Sequence, residues 1–133
     1  MERTVRDLVR HWADETPNAS AIVSLEGDAL TYAELAALID TGATAIRRRS
    51  VAAHDRVAIV LPNGPPMAVA FLATNAVAAA APLNPGLTEA EFRYYFEDLE
   101  VRLLIAESTD TTPATRVAHQ MGIEVLALSL IHI

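Results

Sequence analysis

RVAIVLPNGPPMAVAFLATNAVAAAAPLNP, Arg56 to Pro85, carries a charge only at its first residue, and the chain then stays uncharged until Glu89. A membrane-spanning helix needs roughly 20 continuous apolar residues. Prolines at 62, 65, 66 and 82 leave only Met67 to Ala81 unbroken, and that piece is mostly alanine, which gains little from lipid. The stretch therefore reads as protein core. Val57 to Leu61 is a short apolar run, the pattern of a strand buried on both faces. Pro66 suits the first turn of a helix, where a missing N–H is no loss, and Met67, Phe71, Leu72 and Val77 follow on it. Ala79 to Leu83 turns extended again, so the whole is a βαβ unit whose alanines let the helix lie close on the sheet.

Downstream the alternation continues. Thr88-Glu89-Ala90-Glu91 is a capping box, in which hydroxyl and carboxylate satisfy the free backbone donors at a helix start, and it puts Phe92, Tyr95, Phe96 and Leu99 on the buried side. Leu103 to Ala106 reads as a strand, Pro113 to Met121 as a helix with Gly122 as its C-cap, and Val125 to Leu128 as a further strand. Repeated βαβ units predict right-handed crossovers and a parallel sheet covered by helices.

Upstream, Val5, Leu8, Val9 and Trp12 form an amphipathic stripe capped by Thr4 and closed by Thr16-Pro17-Asn18. Ala21 to Leu25, the turn Glu26-Gly27-Asp28 and Ala29-Leu30 predict a hairpin. A second capping box, Thr31 to Glu34, opens a helix with Leu35, Leu38, Ile39, Gly42 and Ile46 on one face, running to Arg47-Arg48-Arg49, whose charge suits a solvated helix C-terminus. The fold class is α/β: a helix and a β-hairpin, then βαβ units.

The chain has 133 residues, enough for about one domain, and is 52% hydrophobic. A net charge of −7 and a pI near 4.9 argue against a nucleic-acid partner. With no cysteine there is neither a disulfide framework nor a thiolate site. MERTVRDLVRHW lacks the apolar segment of a secretory signal, which sets a cytoplasmic expectation. All ten basic residues are arginine; there is no lysine.

Ligands of open parallel sheets sit beyond the carboxyl ends of the strands. The loop Pro62-Asn63-Gly64-Pro65 is placed there, but the glycines at 27, 42, 64, 86 and 122 are too scattered for a phosphate cradle, so Asn63 and Gly64 read first as a structural turn. Histidines at 11, 54, 119 and 132 have no metal-ligand spacing. Glu97, Asp98 and Glu100, interleaved with Arg93 and Arg102, read as a solvated face, and Phe92, Tyr95 and Phe96 as core. Catalytic, cofactor-binding and metal-ligating residues are each expected to be none.

Four segments together resemble the amino-terminal part of the adenylate-forming (AMP-binding) enzymes: LTYAEL at 30–35, DRVAIVLPNGP at 55–65, AFLATNAVAAAAPLNP at 70–85 and LTEAEFRYYFEDL at 87–99. The resemblance covers the chain to about Leu128 and is most similar to acyl-CoA synthetases of the oxalyl-CoA and coumarate–CoA type. Ser50 and His54 stand where that family usually has glycine, and Ala79 or a neighbour replaces another. The resemblance implies ATP, Mg2+ and coenzyme A for the parent enzyme, with a small carboxylic acid as substrate: the acid attacks the α-phosphate of ATP, giving acyl-adenylate and pyrophosphate, and a thiol then displaces AMP. It also implies that the phosphate loop, the adenine and ribose contacts and the essential lysine lie elsewhere in such an enzyme, leaving residues 1–128 as its first α/β subdomain, a scaffold inactive and ligand-free alone.

The last five residues, SLIHI (129–133), resemble translated sequencing adapter; a non-native tail and a genuine strand end both stay open. Such a piece is expected to expose apolar surface around Val57 to Leu61, Phe71 and Val125 to Leu128, and to self-associate through an unpaired sheet edge. Two other readings remain: a free-standing flavodoxin-like or receiver-like binding module, which the absence of lysine disfavours in its receiver form, and an adenylation domain that loads a carrier protein.

Overall fold

A computed structural model describes residues 4–128; His132 and the SLIHI tail fall outside the described residues. In chain order the elements are α1 (Val5–Glu15), β1 (Ser20–Val23), β2 (Ala29–Thr31), α2 (Tyr32–Arg47), β3 (Arg56–Val60), α3 (Pro65–Asn75), β4 (Ala79–Pro82), α4 (Glu89–Asp98), β5 (Val101–Ala106), α5 (Pro113–Gln120) and β6 (Glu124–Ala127). β1 and β2 pair antiparallel as a separate hairpin, while β3 to β6 form a parallel sheet in the order β4-β3-β5-β6. No described helix is long and apolar enough to cross a membrane.

β3 shows why the run from residue 57 is uncharged. Val57, Ile59 and Leu61 enter one core with Ile46 of α2, Ala70 and Ala73 of α3, Leu103 and Ile105 of β5 and Leu126 of β6. Ala58 and Val60 enter the other with Phe92 and Phe96 of α4, Leu104 of β5, and Val117 and Ala118 of α5. A charge on either face would be desolvated without a partner. Residues 57–61 are at most 9% exposed, and Leu126 to Leu128 are equally buried, so the expected exposure of these two strands is corrected: α2 and α3 cover one face of the sheet, α4 and α5 the other.

Small residues set the spacing within the first helical layer. A Cβ added to Gly42 of α2 would sit 2.8 Å from the Ala73 Cβ of α3, inside any real contact. Beyond this crossing, Val9 of α1 packs on Leu35, Ile39 and Val69 as a third layer. Arg6 and Arg10 hold it there through Asp40, with N–O distances of 2.5 and 3.2 Å.

Four helices start with a reciprocal capping box, at Thr4, Thr31, Thr88 and Thr112; those at Thr31 and Thr88 were expected in full. The Asp7 and Glu34 carboxylates accept backbone N–H bonds from Thr4 and Thr31 at 3.0 Å, and these bonds, aided by the threonine hydroxyls, hold both acids below the ordinary carboxylate range.

Two expectations about faces are corrected. Tyr95 is 38% exposed, because only Phe92 and Phe96, four residues apart, point squarely at the sheet. Phe71, expected exposed, is so, on the outer side of α3, since Ala70 and Ala73 take the sheet-facing positions. Of the α1 stripe, Val9 alone is buried; Val5, Leu8 and Trp12 stay exposed. The arginine run also does more than end a helix. Arg47 donates to the Ala76 carbonyl at 3.3 Å, and Arg49 pairs with Glu124 at 2.6 Å, tying α2 to the end of α3 and the start of β6.

Three outcomes follow. Gly42→Ala gains about 1 kcal/mol of helix propensity but loses about 1–3 to overpacking, so thermal unfolding is expected at lower temperature, with Ala73→Gly restoring part of the loss. Stability unchanged in Gly42→Ala would contradict the close crossing. Ser50, one of the positions where the resembling family has glycine, has φ 60°, so Ser50→Gly is expected to raise stability by about 0.5–1 kcal/mol in denaturant titration. Because the Asp7 and Glu34 carboxyls are depressed in the fold, their contribution is present above the unfolded carboxylate range and fades as pH falls below about 4. Glu34→Gln is expected to flatten that acid limb of the stability profile, and an unaltered slope would show that the box does not titrate with folding.

Candidate functional site

The carboxyl ends of β3 and β4 open onto a cleft of about 460 Å³. Leu61, Pro62 and Asn63 form one wall, Pro82 to Pro85 the other, and Met67 of α3 closes it. It lies one strand away from the β3/β5 reversal in strand order, where open α/β sheets usually bind ligands. At the end of β5 the chain is instead knotted locally: the Thr115 hydroxyl, fully buried, donates to the Asp110 carbonyl at 2.9 Å, and Asp110 N–H donates to Ser108 Oγ at 3.2 Å.

The turn reading of Asn63-Gly64 agrees with the backbone. Gly64 is the N-cap of α3 with φ 148°, a conformation that side-chain-bearing residues rarely adopt, and its carbonyl accepts from Ala68 N–H at 3.2 Å. Asn63 is exposed on the cleft rim. The opposite wall was missed in the sequence. Asn84 Oδ1 accepts from Gly86 N–H at 2.8 Å and its carbonyl accepts from Leu87 N–H at 3.2 Å, shaping the loop that leads into the Thr88 capping box. The rule that pointed to the loop after β3 applies equally after β4, and APLNP was the signal.

Chemically the cleft is neutral: two amides are its polar side chains, backbone groups add further polar surface, and it has no ionisable side chain. A helix N-terminus normally offers free N–H groups to an anion. Here Pro65 and Pro66 occupy the first two helical positions and supply none. The other candidates lie apart from it. His11 meets Trp12 edge-on, His54 is exposed with Nε2 3.5 Å from Asp55, and His119 is exposed on α5. Glu97, Asp98 and Glu100 face solvent, while Arg93 bonds to Gln120 and Arg102 donates to the Arg49 carbonyl at 3.0 Å. Among the described residues no group of three or more His, Asp or Glu could hold a metal ion.

Comparison with known proteins supplies the identity that the cleft does not. The family described as AMP-binding enzyme matches residues 9–131. Oxalate–CoA ligase of Arabidopsis thaliana is 30% identical over 130 residues, covering 96% of this chain and 25% of the ligase. Tyrocidine synthase 3 of Brevibacillus parabrevis is 30% identical over 108 residues, covering 80% of this chain and 2% of that protein. Among solved structures, VinN superposes with a TM-score of 0.84 at 27% identity, over 98% of this chain and 33% of its own. The chain thus spans about a quarter of the length of the Arabidopsis ligase and a third of VinN. By the extent of these matches and by its fold, the chain belongs to the AMP-binding enzyme family, the adenylate-forming ligases.

Proposed function

We propose that residues 1–128 are the first α/β subdomain of an ATP-dependent acid–thiol ligase, an acyl-CoA synthetase, and that they contribute scaffold rather than chemistry. The whole enzyme joins a small carboxylic acid to ATP with loss of pyrophosphate and passes the acyl group to coenzyme A with loss of AMP. The observation that carries the scaffold role is the neutral cleft. Charge developing on a phosphoryl group needs cations or preorganised donors, and the cleft walls offer two amides beside a helix start stripped of its first N–H groups. Nor do the described residues fit magnesium, which wants grouped carboxylates. On this reading the catalytic steps, with ATP, Mg2+ and coenzyme A, fall to the rest of the enzyme.

The CoA-ligase reading is supported by the Arabidopsis ligase, which matches 96% of the chain, and stands beside the match to tyrocidine synthase 3. The match to that synthase supports a second reading, an adenylation domain loading a carrier protein. The two differ in the thiol acceptor alone, and supplying a full-length parent with free coenzyme A or with a carrier protein separates them. A cytoplasmic site of action accompanies either reading. So does self-association of the isolated chain, through the apolar side chains it leaves exposed.

Given ATP, magnesium and a panel of short carboxylic acids, the purified chain is expected to release no carboxylate-dependent pyrophosphate; measurable release would overturn the scaffold assignment. In a full-length parent, Asn63→Ala is expected to slow adenylation by no more than about ten-fold, equivalent to about 1.4 kcal/mol. A loss of several orders of magnitude with the fold intact would make Asn63 catalytic.

A further inference from the structure

The chain holds four asparagines, at 18, 63, 75 and 84, and all four are exposed. What separates them is the nitrogen that follows. Asparagine is thermolabile because its side-chain carbonyl carbon lies within reach of the next residue's backbone nitrogen, and attack there closes a five-membered ring. After Asn18 the Ala19 N–H is committed to the Thr16 carbonyl at 3.1 Å, and after Asn75 the Ala76 N–H is committed to the Leu72 carbonyl at 3.3 Å. Asn84 precedes Pro85, which has no N–H, and its Oδ1 already accepts from Gly86 N–H at 2.8 Å. Asn63 alone is followed by glycine, whose missing Cβ leaves the nitrogen open to approach. Among the described residues neither the Gly64 N–H nor the Asn63 side chain has a hydrogen-bond partner. A Cβ built on Gly64 would meet nothing closer than Pro66 Cδ at 3.8 Å, so the space around the pair is open as well.

We propose that Asn63-Gly64 is a self-modification site, at which the cleft rim slowly exchanges a neutral amide for a carboxylate without an enzyme. Loss of the Gly64 N–H proton to solvent base frees that nitrogen to attack Asn63 Cγ. The new N–Cγ bond closes a succinimide, the Cγ–Nδ2 bond breaks, and Nδ2 takes up a proton and leaves as ammonia. Water then opens the ring. Addition at Cγ restores the main chain and gives aspartate, whereas addition at the Asn63 backbone carbonyl carbon leaves the main chain running through Cγ, an isoaspartate with an extra methylene. Either product puts a negative charge on a cleft that has no ionisable side chain. Their effects on the loop differ. Its ends are fixed, with Leu61 buried just past β3 and the Gly64 carbonyl accepting from Ala68 N–H of α3. The extra methylene must therefore be absorbed between Pro62 and Gly64, which shifts this wall of the cleft against the one at Pro82 to Pro85. Aspartate keeps the loop length and places its carboxylate near the positive end of α3. None of this depends on the ligase reading.

The test is to age the purified chain at physiological temperature in buffers from mildly acidic to mildly alkaline and to map the products by mass spectrometry. Cleavage after Arg56 and Arg93 releases Asn63, Asn75 and Asn84 on one peptide, so three of the four sites are compared within a single molecule. Electron-transfer fragmentation locates the mass gain of about 1 Da and tells isoaspartate from aspartate by the extra main-chain bond. Residue 63 is expected to convert at least about ten-fold faster than residues 18, 75 and 84, since only there is the following nitrogen both free and unshielded. An equivalent of ammonia accompanies it, isoaspartate appears among the products, and the rate rises with pH. Conversion at 63 no faster than at 18 or 75, aspartate as the sole product, or a rate that ignores pH would each overturn the proposal. Asn63→Gln, whose longer side chain must close a six-membered ring, is expected to cut the charge change at this position by about ten-fold or more with the fold retained; an undiminished rate would sink the cyclic route. The chain aged in urea gives the last comparison. A folded rate within about ten-fold of the unfolded one supports a site that the fold leaves open, and one slower by more than about a hundred-fold shows that the loop protects Asn63 and overturns it.

Discussion

Burial of β3 on both faces is the constraint from which the rest of the structure follows. A strand whose odd-numbered residues fill one core and whose even-numbered residues fill another must have a helical layer on each side. The connections supply those layers: α3 crosses from β3 to β4 on one face, and α4 and α5 return on the other. The strand order β4-β3-β5-β6 follows from that reversal.

Close approach comes next. Gly42 against Ala73 lets α2 and α3 touch nearly backbone to backbone, which brings Leu35, Ile39 and Val69 together as a platform for α1. Such a crossing is stable only if the helix ends are held in register. Arg49 to Glu124, Arg47 to the Ala76 carbonyl and Arg102 to the Arg49 carbonyl do this at the lower rim, where strands begin. These partly exposed contacts each add little to stability, but they fix orientation where the apolar layers alone would allow sliding.

Element type and order were legible because each boundary carried local chemistry: capping boxes at Thr31 and Thr88, Pro65-Pro66 after the β3 loop, and Gly122 after α5. Facing was legible only where the period was unambiguous. Tyr95 is apolar enough to pass for core, and only the tertiary arrangement shows that Phe92 and Phe96 had already taken the inward positions. The exposed stripe of α1 failed for the same reason in reverse, since its pattern demands a partner that the described residues do not provide. Of the site, the wall at Asn63 was legible from its place after a strand, whereas Asn84 was hidden inside a motif read for its family likeness.

Those asparagines also bear on why a ligase would build its first subdomain this way. A phosphate-binding start to α3 would need glycine and free N–H groups, which cost conformational entropy and leave donors unsatisfied until ligand arrives. Pro65 and Pro66 do the opposite, fixing φ and removing two of the donors at the start of α3, so the helix begins rigidly. Rigidity of that kind suits an element whose inner face spaces two helices through Ala73 and whose outer face, at Ala68 and Phe71, borders the hairpin groove and solvent. A mobile reactive loop at this point would blur both surfaces at once, and a neutral, proline-framed cleft keeps them fixed.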